Sequence, residues 1–82
     1  MDVNYIREQI PTCRELVYFN TGWSGPSPTV VVNAIKDRLE YESYNGPTSP
    51  PVQESAREID ANTVSAVANL LGASSEEVCL TQ

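Results

Sequence analysis

The run Asn20-Thr21-Gly22-Trp23-Ser24-Gly25-Pro26-Ser27-Pro28 concentrates this sequence's means of holding a ligand. An apolar segment leads into it and a Pro-started helix leads out, which leaves backbone N–H groups exposed near a helix N-terminus. Such a place suits a carboxylate or a phosphate. Gly22 and Gly25 let backbone approach a ligand closely, and Trp23 offers a flat wall beside it. An ordinary Gly/Pro turn with Trp23 filling a core gap would use the same residues. The spacing is not that of a P-loop, because no Gly-Lys-Ser/Thr follows. Nor is it the dinucleotide fingerprint, since Gly22 and Gly25 stand alone.

Little else in the chain could do chemistry. There is no histidine, which removes the commonest general base, the commonest zinc ligand and the usual pH switch together. Lys36 is the only lysine, and a Schiff-base nucleophile would have to be this residue. It falls mid-helix among charged neighbours, where a solvated surface role is expected. Glu40, Glu42, Glu54, Glu58, Glu76 and Glu77 read as solvated helix faces. Cys13 has only Arg14 beside it to lower its pKa, and Cys79, between Val78 and Leu80, reads as a packing residue. No catalytic set and no metal site can be assembled from these residues.

The elements around the loop have little apolar mass to work with. The chain has 82 residues and 9.0 kDa, of which Leu, Ile, Val and Phe make up 19. A chain of this size and composition is marginal as an independent domain. Eleven acidic against five basic residues give a net charge of −6 and no basic footprint for nucleic acid or an anionic membrane. The longest aliphatic run is Val30-Val31-Val32, far short of a membrane span. No secretory pattern opens the sequence, so a cytoplasmic location and two reduced thiols are expected.

Eight of the ten Gly and Pro residues lie between Gly22 and Pro51, in two breaks. Between the breaks, Ser27 as N-cap, Pro28 at the first helical position and the stripe Val31, Ile35, Leu39 predict a helix from Pro28 to about Tyr44. Asn45-Gly46 and Pro47 end it. A second helix starts after Ser49-Pro50-Pro51 and carries Val52, Ala56, Ile59, Thr63, Ala66, Val67 and Leu70 at helical spacing, with Gly72 as its stop. Its Ala-rich face is shallow and suits close packing on a larger body. Ser74 to Glu77 reads as a capping box opening one short turn. Asp2 caps a short helix through Val3, Ile6 and Ile10, stopped by Pro11. Leu16-Val17-Tyr18-Phe19 and Val78-Cys79-Leu80-Thr81 read as short strands, the latter buried on both faces. Two such strands make no stable sheet alone, so the chain reads as a piece of a larger α/β protein.

Over these same residues the sequence resembles the N-terminal region of class V aminotransferase-type enzymes that depend on pyridoxal phosphate. That group includes cysteine desulfurases, selenocysteine lyases, cystine C–S lyases and isopenicillin N epimerase-like proteins. Tyr18-Phe19-Asn20, Gly25-Pro26-Ser27-Pro28 and Val31-Val32-Asn33-Ala34-Ile35 stand where those enzymes have a strand end, a Gly-x-x-Pro turn and a helix start. The match runs on through Tyr44-Asn45-Gly46-Pro47 to Leu70-Leu71-Gly72-Ala73, Glu76-Glu77 and Val78-Cys79-Leu80-Thr81. Gly22-Trp23 replaces the Ala-Ala of many desulfurases and no histidine lies near Asn45, which leans toward the C–S lyase or epimerase-like branch.

The resemblance implies an α/β protein of fold type I, of which this chain is a mainly helical N-terminal fragment with two long helices and short strands. It implies that residues 1–27 form a helix, strand and substrate-side loop of the small domain. Residues 28–82 would be two helices and the first strand leading into the large cofactor domain. Asn20, Thr21, Gly22, Trp23, Asn45 and Gly46 inherit substrate-binding positions. Pyridoxal 5'-phosphate would be held by a phosphate loop and a lysine beyond Gln82, leaving the fragment itself inert. The substrate would be a small, sulfur-containing amino acid, and a homodimer or self-association is expected. The rival expectation is a non-catalytic, acidic helical module that binds a protein partner through the Ala-rich face.

Overall fold

The computed structural model describes residues 1–81. Its elements are four α-helices, α1 (Val3–Gln9), α2 (Thr12–Glu15), α3 (Thr29–Asn45) and α4 (Pro50–Leu71), followed by a single 3₁₀ turn over Ser75–Glu77. The chain divides into two units, Met1–Tyr41 and Glu42–Gln82, the division falling inside α3.

No β-strand forms among the described residues, which corrects the expectation of an α/β fold. Leu16 (φ −134°, ψ 150°) and Val78 (φ −113°, ψ 131°) do have extended backbone where strands were expected. A strand exists only through its ladder, however, and neither Leu16–Phe19 nor Val78–Thr81 is paired. Burial fails at the second segment too. Cys79 and Leu80 are exposed, so Cys79 is not a packing residue.

In the first unit, the Asp2 carboxylate caps α1 by accepting the N–H groups of Asn4 (3.0 Å) and Tyr5 (3.2 Å). The helix stops at Ile10, whose backbone is extended because the ring of Pro11 disfavours a helical residue before it. Pro11, at φ −54°, then opens α2, a single turn that packs against α1. Arg14 donates from its guanidinium to the Glu8 carbonyl. Pro11, which suits the start of a helix, was the available signal for this turn.

α3 opens one residue later than its pattern suggests. The Pro28 carbonyl accepts the N–H groups of Val31 and Val32, both at 3.1 Å, so Pro28 serves as the cap in place of Ser27. No residue along α3 is buried. Val31, Ile35 and Leu39 form their stripe but leave it facing solvent, with 45%, 57% and 63% of their surface exposed. Arg38 lies 5.5 Å from the centroid of the Tyr41 ring, a cation–π pair one turn apart.

In the second unit, Gly46 (φ +83°) supplies the left-handed residue that ends α3, its N–H donating to Glu42 at 2.9 Å. Ser49 precedes α4 but makes no side-chain cap bond, and Pro51 at the second helical position removes one of the two N–H groups a cap ordinarily uses. α4 ends in a Schellman motif. Gly72 (φ +67°) donates to Asn69 at 3.4 Å and Ala73 donates to Ala68 at 2.9 Å. Ser74 and Glu77 close the expected capping box, with the Ser74 N–H 2.9 Å from the Glu77 carboxylate. Val52 and Ala68 are the buried hydrophobic residues among those described. Of the expected α4 stripe, Ile59 and Leu70 stay exposed, so α4 presents much of its apolar face to solvent.

Candidate functional site

The segment from Tyr18 to Pro28 is built around one carbonyl. Asn20 O accepts the N–H groups of Trp23 (3.0 Å) and Ser24 (3.2 Å), which folds residues 20–24 into a tight turn. The Tyr18 hydroxyl sits against the same turn, 2.7 Å from Ser24 O and 3.3 Å from Asn20 O. Tyr18 is partly buried, while its neighbours Val17 and Phe19 are 84% and 91% exposed.

Asn20, Thr21, Gly22 and Trp23 are all exposed on this turn. Trp23 is 88% exposed, so it does not fill a core gap. Among the described residues the N–H groups of Thr21, Gly22 and Gly25 donate to no other group and remain available to an acceptor. The glycines are informative in a second way. Neither Gly22 nor Gly25 has a positive φ, and a Cβ built on either meets nothing within 4 Å. Their identity is demanded neither by their own backbone nor by any described neighbour. Gly46 differs, because its left-handed backbone accounts for it locally. Asn45 and Gly46 belong to the second unit, at the end of α3.

Sequence reasoning missed two features of the first unit. One is the Tyr18 contact to the turn; its only signal was a hydroxyl-bearing residue inside an otherwise apolar run. The other is an open cleft of about 400 Å³ lined by Arg7, Cys13, Leu16, Val17, Tyr18 and Phe19. Lys36 does not line that cleft and is exposed midway along α3. The residues present therefore do not themselves fit a bound pyridoxal phosphate. Among the described residues no group of three or more Cys, Asp or Glu side chains is gathered as a metal site requires, and no helix is long and apolar enough to cross a membrane. No family model matches the chain, and no solved structure matches it.

Proposed function

We propose that this chain supplies the substrate-side turn of a pyridoxal-phosphate-dependent lyase or transferase of the class V aminotransferase type, acting on a small, sulfur-containing amino acid. Gly22 and Gly25 carry the reading: two glycines that nothing among the described residues requires, beside unused N–H donors. Backbone stripped of Cβ atoms beside free donors favours close approach by a carboxylate. In this reading the N–H groups of Thr21 and Gly22 and the Asn20 side chain bind the amino acid's carboxylate. Trp23 forms an apolar wall that keeps water from it.

The lysine and phosphate loop that hold the cofactor are proposed to lie beyond Gln82, so the 82-residue chain alone is inert. The eighteen large apolar side chains left exposed among the described residues support a chain that packs against further polypeptide or a second copy. A cytoplasmic setting belongs to the same proposal, since the exposed thiols of Cys13 and Cys79 stay reduced there. The test is kinetic, in the enzyme that contains this segment. Asn20→Ala raises KM for the amino acid by roughly tenfold to a hundredfold, the effect of losing one hydrogen bond to a charged group, and changes kcat much less. An unchanged KM contradicts the reading.

A second reading is favoured by charge. Residues 42–82 hold six acidic residues against one base, a net charge of −5, beside exposed Ala61 and Ala66 on α4. A non-catalytic module binding a basic protein partner would use that surface. Its binding would weaken steeply as salt rises, whereas recognition of a small amino acid would not.

A further inference from the structure

We infer that Tyr18 is the positioning residue of the Asn20–Ser24 turn, acting on a ligand only through the turn it holds. A turn of this kind on an exposed loop is ordinarily free to open, because its two N–H bonds to Asn20 O are short-range and fully exposed to water. Tyr18 changes that balance. Its hydroxyl reaches the carbonyl of Ser24, the residue that closes the turn, at 2.7 Å, and lies 3.3 Å from the carbonyl of Asn20, the residue that opens it. One side chain thus spans both ends of the turn. Tyr18 is also half-buried and forms part of the wall of the Arg7–Cys13 cleft. Opening the turn therefore requires breaking three hydrogen bonds together rather than two.

The consequence falls on Trp23 and the free N–H groups of Thr21 and Gly22, which lie inside the latched span. Held in one arrangement, they need no ordering when a ligand arrives, and preorganisation of this kind raises affinity without a new contact. For that consequence the inference rests on the turn facing a substrate; for its geometry it does not.

The experiment compares the chain with its Tyr18→Phe variant, which keeps the ring and removes the hydroxyl. Amide hydrogen exchange is followed at Trp23, Ser24 and Ala73, with the fluorescence anisotropy of Trp23, the only tryptophan. Exchange at Trp23 and Ser24 is expected to accelerate roughly fivefold, the factor for one lost hydrogen bond. The anisotropy falls, while Ala73 in the Schellman motif exchanges as before. Tyr5→Phe, which removes an exposed hydroxyl elsewhere, leaves all three amides unchanged. Unaltered exchange at Trp23 and Ser24 overturns the assignment. So does equal acceleration at Ala73, which would make the hydroxyl a general support of the fold, and so does an equal effect of Tyr5→Phe. Because no substrate is present, failure here leaves the carboxylate reading standing, and an unchanged KM for Asn20→Ala leaves the latch standing.

Discussion

The hydroxyl of Tyr18 donates to the carbonyl oxygen of Ser24 across 2.7 Å, tying an extended segment to the far end of the turn that follows it. In a chain with no strand ladder among its described residues, this side chain does for the loop what backbone pairing does elsewhere. It fixes where Asn20 to Trp23 stand while leaving their side chains in solvent.

The first prediction follows from that exposure. Trp23, at 88% exposed, should emit at the wavelength of an indole in water and be quenched by acrylamide almost as freely as the amino acid. Emission shifted well to the blue would mean that the ring is buried.

Glycine substitutions should separate local from external demands. Gly72→Ala forces an L-residue into φ +67° and is expected to cost roughly 1–2 kcal/mol, read by urea unfolding followed by circular dichroism. Gly22→Ala, with no positive φ and open space around its Cβ, should be neutral or raise stability by up to about 1 kcal/mol. In the proposed enzyme the same Gly22→Ala should nevertheless raise KM. A Gly22→Ala chain as destabilised as Gly72→Ala would show that Gly22 is needed by the fold itself.

Self-association is expected of the isolated chain. Val31, Ile35 and Leu39 line one exposed stripe of α3, and the segment Leu16–Phe19 is unpaired. Light scattering should give a mass above 9.0 kDa that falls on dilution, and Ile35→Lys should shift it toward the monomer. A wild-type chain that stays monomeric at high concentration would contradict this.

Lys36 should not capture the cofactor. Incubation with pyridoxal phosphate followed by borohydride is expected to leave this exposed lysine with no stoichiometric adduct. A full equivalent trapped on Lys36 would overturn its reading as a solvated surface residue.

Much of the helical framework was legible because its signals are local. Asp2 before Val3, Gly72 after Leu71, and Ser74 paired with Glu77 each act within one turn, and each does in the structure what its chemistry suggests. The α3 start slipped by one residue because Pro28 can close the first turn with its own carbonyl, which composition does not distinguish from a Ser27 cap. The strands were misread for a deeper reason. Leu16–Phe19 and Val78–Thr81 have the composition of strands, and Leu16 and Val78 have extended backbone, but pairing is a non-local property that no window of sequence contains. Leu70 was placed on the apolar face of α4 by spacing; periodicity specifies which residues share a face, not whether anything covers it, and Leu70 is exposed. At the candidate site, the glycines and Trp23 were legible as a turn. The role of Tyr18 was not, since it depends on where a carbonyl six residues away comes to rest.

The most direct measurement is the mass and sequence of the native polypeptide that carries these residues. A chain several times 9.0 kDa is expected, with an Asn-Thr-Thr-like segment soon after Gln82 and, far beyond it, a lysine that borohydride fixes to pyridoxal phosphate. A mature product of 9.0 kDa ending at Gln82 would contradict the enzyme reading outright.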